Sequence, residues 1–358
     1  MIKLKKLLPM VVVATMIAGS MTGCGNSGSD TKSDSTDTGK TEATDESKGE
    51  DTSNILIGSA IYKFDDTFMT GVRTAMENQA DEEGVKIELV DSQNKQPTQN
   101  EQVDTFITKG VNALAINPVD RTAAGPIIEK AKAKNLPIVF LNREPEEADM
   151  NSYDKVWYVG AKAEQSGTQS GEIIVDYFKA NPEADKNGDG VIQYVMLQGE
   201  PGHQDATLRT EYSIKAIEDG GFKAEKLAAD TAMWDKAKAT DLMKAFITGQ
   251  GLEKIEAVLC NNDDMALGAV DALKEAGYFG TAEKVPPVIL GIDGTREGIR
   301  AVENNEIFGT VINDIPGQAK GILQLAYSLC YNQPLEDFTL VEGKYIRCPY
   351  KIYKKNGE

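Results

Sequence analysis

Short apolar runs alternate with helix-patterned segments along most of this chain, and the runs repeatedly end in Asp, Asn or His. That alternation narrows the fold more than any other feature, because strands separated by helices build parallel sheets covered on both faces. Two successive series are legible. In the first, 55–61 (ILIGSAI), 86–90, 113–116, 136–141 (LPIVFL) and 156–159 read as strands, with helices from Thr67 to Gly84, up to about Gly110 and over 123–134. The second starts near Lys162. It places strands at 192–197, 222–227, 257–260 (AVLC), 288–290 and 307–312, a helix over 318–329 and a final strand pair near 338–353. A chain of 358 residues is also too long for one ordinary core. The expected class is α/β, two doubly wound parallel-sheet lobes facing each other across a cleft.

The N-terminus carries a different signal. Lys3, Lys5 and Lys6 precede an apolar stretch at 7–18 that is too short to span a bilayer, followed by Met21-Thr22-Gly23-Cys24. This order reads as an export signal over 1–24 with a lipobox, Cys24 being the acylated residue and the chain a membrane-anchored lipoprotein. Residues 25–53 contain no large apolar side chain and read as a disordered tether. The formal net charge of −18 comes without a basic stripe, which excludes nucleic acid as a partner. Beyond Cys24 stand Cys260, Cys330 and Cys348, an odd set with neither metal-ligand spacing nor a disulfide framework.

The stretch 199–209, GEPGHQDATLR, lies between an apolar run and a helical pattern. It holds His203, the single histidine, and Asp205 and Arg209, four apart and so on one helix face. Asp66, Asn142, Asn262, Asp293 and Asn313 occupy similar strand-end positions. Any one of them is an ordinary cap or turn residue. Together they form a polar set where open α/β sheets bind ligands. Carboxylates accept hydroxyl protons while Arg and Asn donate to hydroxyl lone pairs, and flat rings such as Phe68 and Trp234 cover apolar C–H faces. That chemistry is complementary to a sugar. Hydrolysis would need two carboxylates flanking the bond, for which Asp65, Asp66 and Asp205 are the candidates. No nucleophile elbow, phosphate loop or zinc-spaced histidine pair is present.

A second pattern, DKNGDGVIQ at 185–193, follows the calcium-loop rule D-x-[DN]-x-[DN]-G. Asp185, Asn187 and Asp189 supply side-chain oxygens, Val191 its carbonyl and Gln193 an amide. Met196 stands where the bidentate Glu belongs, so a further carboxylate is required.

Several segments are similar, nearly word for word, to the galactose/glucose-binding proteins of bacterial sugar ABC transporters, within the periplasmic-binding-protein class. They include IYKFDDTFM, DSQN, KGVNALAINPVD, FLNREP, SYDKVWYVG, GEPGHQDA, DTAMWD, NNDDMALGAV and RCPY. The resemblance runs from Ile55 nearly to the C-terminus. It implies the type I fold, with a three-segment hinge near 159–162, 313–315 and 343–347. The lobes would then be 54–160 plus 314–343 and 161–313 plus 344–358. It implies that Asp66, Asn142, His203, Asp205, Arg209, Asn262, Asp293 and Asn313 hold D-glucose or D-galactose, the ring lying between Phe68 and Trp234. It also assigns Glu256 as the missing ligand of a structural Ca2+, and gives Asn117 no place among the contacts. An ABC permease is the implied partner. The lipid anchor implies an extracytoplasmic monomer on a cell with one membrane, and presentation to a chemotaxis receptor is left open. The rival readings are a carbohydrate-active enzyme, a ribose or xylose binder, and a repressor's sensor domain, which would begin with a basic DNA-binding helix rather than an export signal.

Overall fold

The computed structural model describes residues 54–279 and 286–355, so the export segment, Cys24 and the tether lie outside the described residues. Two six-stranded sheets carry the fold. The first contains β1 (Leu56–Ile61), β2 (Lys86–Asp91), β3 (Ala113–Ile116), β4 (Ile138–Leu141), β5 (Val156–Gly160) and β11 (Tyr345–Arg347). Its order is β11-β5-β4-β3-β1-β2, parallel throughout. The second contains β6 (Val191–Gln198), β7 (Lys223–Thr231), β8 (Ala257–Cys260), β9 (Val288–Asp293), β10 (Gly309–Asn313) and β12 (Tyr350–Lys354). Its order is β12-β10-β9-β8-β6-β7, parallel except for the β10–β12 pair.

The helices are α1 (Thr67–Glu83), α2 (Gln96–Lys109), α3 (Gly125–Ala133), α4 (Glu147–Met150), α5 (Ala163–Ala180), α6 (Gln204–Asp219), α7 (Lys236–Gln250), α8 (Asp263–Glu275), α9 (Arg296–Glu303) and α10 (Ile315–Tyr331). They cover both faces of each sheet, which is why β3, β4 and β8 are apolar at every position. Along β4, Val139 and Leu141 enter one core while Ile138 and Phe140 enter the other. Along β8 the same division separates Val258 and Cys260 from Ala257 and Leu259. The helix expected over 123–134 is interrupted: a 3-10 turn at Arg121–Ala123 precedes α3, whose first turn carries Pro126.

The chain passes from the first lobe to the second between β5 and α5, and returns at Asp314, between β10 and α10. The third crossing and the last strands differ from the sequence expectation. Residues 345–347 pair with β5, Tyr345 with Tyr158 and Arg347 with Gly160, so they belong to the first lobe. The chain crosses at Cys348 and Pro349, and the first lobe therefore runs on past 343. β11 and β12 do not pair with each other; they finish opposite sheets. The cause is burial: Tyr345 and Ile346 complete the two cores of the first lobe, while Tyr350 fills a core of the second.

Candidate functional site

In both sheets the strand order reverses beside a central strand, between β1 and β3 and between β6 and β8. Crevices at the carboxyl ends of such strands are where open α/β sheets hold ligands. One cavity between the lobes is lined by Tyr62, Asp66, Phe68, Met69, Asn142 and Arg143 from the first, and by His203, Asp205, Arg209, Trp234, Asn262 and Asp293 from the second. The cavity has a volume of about 30 Å³, against the roughly 10–15 Å³ that one water needs. The space suits one compact polar molecule. Asn313, at the end of β10, is buried but is not among these lining residues.

Three helix caps, Asp66, His203 and Asn262, also line the cavity. Asp66 caps α1 by accepting the Met69 N–H at 2.7 Å, and its other oxygen accepts the Tyr62 hydroxyl at 2.7 Å. Asn262 caps α8 through Oδ1, which accepts the Met265 N–H at 2.9 Å. His203 caps α6 through Nδ1, which accepts the Asp205 N–H at 3.1 Å. Burial, then Arg143 and Arg209, hold this imidazole well below its ordinary range, so it is neutral and its proton sits on Nε2. Asn142 Oδ1 accepts from Asn117 Nδ2 at 3.2 Å, and Asn313 Oδ1 from Gln318 Nε2 at 2.6 Å. Each second partner takes a lone pair of the accepting atom, and Asn262 Nδ2 also donates to Trp234 O at 3.4 Å. The N–H groups these side chains retain are Nδ2 of Asn142 and Asn313, the second Nδ2 hydrogen of Asn262 and Nε2 of His203.

Arg209, 4% exposed, is surrounded by acceptors. It donates to Asn261 O at 2.7 Å, Asp205 at 3.2 Å and the Tyr350 hydroxyl at 3.1 Å, and stands 3.5 Å from Asp293, while its Nε is buried without a partner. Burial opposes its charge, yet Tyr350, Asp293 and Asp205 together hold it above the usual arginine range. Burial pushes both Asp205 and Asp293 up, Asp293 strongly, with Arg209 pulling each back. Backbone strain aims several of these groups: Asn142, Trp234 and Asp293 have φ of 59°, 64° and 121°. A Cβ on Gly199 would come within 2.2 Å of the Trp234 ring, so only glycine lets the indole lie there.

Sequence reasoning missed Tyr62 and Arg143 in the wall, and Asn117 and Tyr350 behind it. Asn117 does more than cap a strand. Its Nδ2 also donates to Leu141 O at 3.1 Å, fixing the turn that carries Asn142. A strand-end position signalled both Tyr62 and Asn117, and adjacency to Asn142 signalled Arg143. Asp65, one of the candidate catalytic carboxylates, is exposed and paired with Lys63, away from this wall.

The 185–193 loop is closed by its own oxygens. Asp185 accepts the Gly188 and Gly190 N–H groups, each at 2.8 Å, and Asp189 accepts the Val191 N–H at 2.8 Å. Glu256, 2% exposed, reaches in from before β8 to accept the Lys186 and Gln193 N–H groups at 2.6 and 3.1 Å. Among the described residues no group of three or more His, Cys, Asp or Glu forms a metal set unaided. Gln193 Oε1, however, is buried without a hydrogen-bond partner. A hard cation drawing on amide, peptide and carboxylate oxygens would use that atom, so the residues fit one.

Residues 57–334 match the family model described as a periplasmic binding protein domain. The chain is 42% identical over 297 residues to the D-galactose/methyl-galactoside binding periplasmic protein MglB of Haemophilus influenzae, covering 82% of this chain and 88% of that protein. It is 33% identical to a putative rhizopine-binding protein of Rhizobium meliloti, covering 78% of this chain and 86% of the relative. Among solved structures, an ABC transporter solute binding protein from Bacillus halodurans with bound myo-inositol superposes with a TM-score of 0.71 at 26% identity, covering 85% and 96% of the two chains. A periplasmic solute binding protein from Actinobacillus succinogenes with bound D-allose gives 0.72 at 19% identity, covering 85% and 98%, and shows the fold alone.

Proposed function

The chain belongs to the periplasmic binding protein family, and on that premise we propose that it is the sugar-binding component of an ABC transporter, closing on one D-glucose or D-galactose. The family places it outside the cytoplasm and among binding proteins rather than enzymes. The observation that carries the sugar reading is the polarity of the cleft. Donors that each already accept one hydrogen bond (Asn142, Asn262, His203) line the same cavity as the carboxylates of Asp66, Asp205 and Asp293 and the Arg209 guanidinium. Hydroxyl groups both donate and accept, so a hexose meets every one of them, with Phe68 and Trp234 on its apolar faces. Hydrogen bonds to charged groups contribute about 1.5–3 kcal/mol each, enough together for micromolar affinity, about 8 kcal/mol, after ordering costs. Because the contacts come from both lobes, sugar favours the closed state, and the permease reads that state.

Titrating intrinsic tryptophan fluorescence against glucose, galactose, ribose, xylose and myo-inositol tests this. A response to the two hexoses at micromolar concentration is expected; a response to pentoses or inositol alone would overturn the hexose assignment.

Two features remain proposals. Ca2+ bound by Asp185, Asn187, Asp189, Val191, Gln193 and Glu256 would tie the loop before β6 to the segment before β8, a structural role. Acylation of Cys24 would keep the protein at the membrane surface, so Cys24→Ala should move it from the membrane fraction to the medium. Among the described residues no helix is long and apolar enough to cross a membrane.

A further inference from the structure

We propose that Asp263, a buried carboxylate outside the cavity wall, is the positioning residue that sets the second lobe's half of the cleft, and that the cleft holds its ligand tightly only while this carboxylate is ionised. The inference rests on the sugar-binding reading for its ligand, though not for its geometry.

Asp263 is fully buried beside Asn262. One of its oxygens accepts the Thr295 N–H at 2.7 Å and the Thr295 hydroxyl at 3.0 Å; the other accepts the Thr310 hydroxyl at 2.6 Å. Thr295 stands two residues beyond Asp293 and caps α9 by accepting the Gly298 N–H at 3.0 Å. Thr310 lies on β10, the strand that ends at Asn313, and its oxygen also receives the Gly294 N–H at 3.3 Å. One carboxylate thus joins the start of α8, the β9–α9 turn and β10. Asn262, Asp293 and Asn313 lie on those three pieces of chain. Asp293 in particular has a left-handed backbone that its own sequence would not choose, so an external tie is needed to hold it. The fold leaves room for the tie: a Cβ on Gly291 or on Gly298 would come within 2.2 Å of an Asp263 oxygen.

All three bonds use the carboxylate as acceptor. On protonation the oxygen facing Thr310 becomes a donor. The Thr310 hydroxyl must then turn its own proton elsewhere, and the tie between α8 and β10 changes direction. Burial pushes this carboxyl up to about 6, with its hydrogen bonds opposing the shift, so the change falls close to neutrality. The groups that face it are the Cys260 thiol from β8, Asp264 from its own helix, Asp293 from β9, and Thr295, Gly298 and Thr310 from α9 and β10; Arg209 reaches Asp293 from α6.

Asp263→Asn is the test, because an amide imitates the protonated acid at every pH. Glucose affinity, by calorimetry between about pH 5 and 8, should fall severalfold in the parent protein as pH drops through the transition. The variant should show the weaker affinity throughout and a shallower slope, keeping only what Asp205 and Asp293 in the cavity wall contribute. Thr310→Val, which keeps the carboxylate, should weaken binding yet retain the slope. Reciprocally, saturating sugar should draw the Asp263 carboxyl resonance to lower pH. A folded Asp263→Asn protein that binds as the parent does near pH 7.5, or that keeps the parent's full slope, overturns the proposal. If no monosaccharide binds the parent protein, the binding reading has failed instead. The clamp is then read in the ligand-free protein. The backbone resonances of Asn262, Asp293 and Gly294 should titrate together in the parent and not in Asp263→Asn, and resonances that stay still in both overturn it.

Discussion

Trp234 shows how much a single residue owes to its surroundings. Its left-handed φ of 64° and the bare backbone of Gly199 beneath it place the indole edge-on to His203, with ring centroids 5.0 Å apart. Trp234→Ala removes this face, and glucose affinity by calorimetry should fall well over tenfold, more than about 1.4 kcal/mol; unchanged affinity would remove the stacking face from the account. His203 bears on stability as well as on binding. Its folded form is held well below the ordinary value of 6.5, so below that pH the unfolded chain takes up a proton that the folded protein refuses. Its contribution is complete above 6.5 and is lost as pH falls. His203→Gln should therefore flatten the acid side of the melting-temperature curve relative to the parent. Parallel curves would show that the imidazole is not held neutral.

The packing of whole elements also aims the second lobe's share of the cleft. α6, which carries Asp205 and Arg209, packs on α5 at backbone contact: a Cβ on Gly171 would lie 2.3 Å from Ser213 O, and one on Gly167 2.9 Å from Arg209 O. At the far end of the same lobe, the 185–193 loop leads straight into β6 and is stitched to the start of β8 by Glu256. Chelation with EDTA should lower the melting temperature if a divalent cation completes that stitch through Gln193 Oε1. A transition that does not move would leave the hydrogen bonds alone holding the loop. The pattern of 185–193 was legible as spacing. The carboxylate that serves it lies far away along the chain, and only the resemblance to a family pointed to Glu256.

Across the whole molecule, side chains of the two lobes touch directly. Arg143 of the first lobe donates to Glu200 of the second at 2.7 Å, and the Thr67 hydroxyl donates to Asp264. Arg143 also lies 3.8 Å from the centre of the Tyr62 ring, whose hydroxyl holds Asp66. Closure is thereby linked to the orientation of the Asp66 carboxylate in the cavity wall. Glu200→Gln should weaken hexose binding by up to about tenfold, within the range for a charge-assisted bond that is partly open to water. Most of the loss should be in dissociation rate, with a larger radius of gyration by X-ray scattering at subsaturating sugar. Equal rates and equal scattering would show that closure does not depend on this pair.

The amino-acid order by itself settled the alternation of strands and helices and the polar residues at the strand ends. Both are short-range patterns of burial and capping, repeated within a few residues of each other. It could not settle which atom of each cap is left facing the cleft, because Asn117 and Gln318 decide that from other elements. Nor could it place the last crossing, since 345–347 go to whichever sheet edge buries Tyr345 and Ile346. The left-handed backbones of Asn142, Trp234 and Asp293 belong to the same class. Such conformations are unfavourable locally and persist only where the surrounding structure over-determines them, so they exist only once the tertiary contacts do.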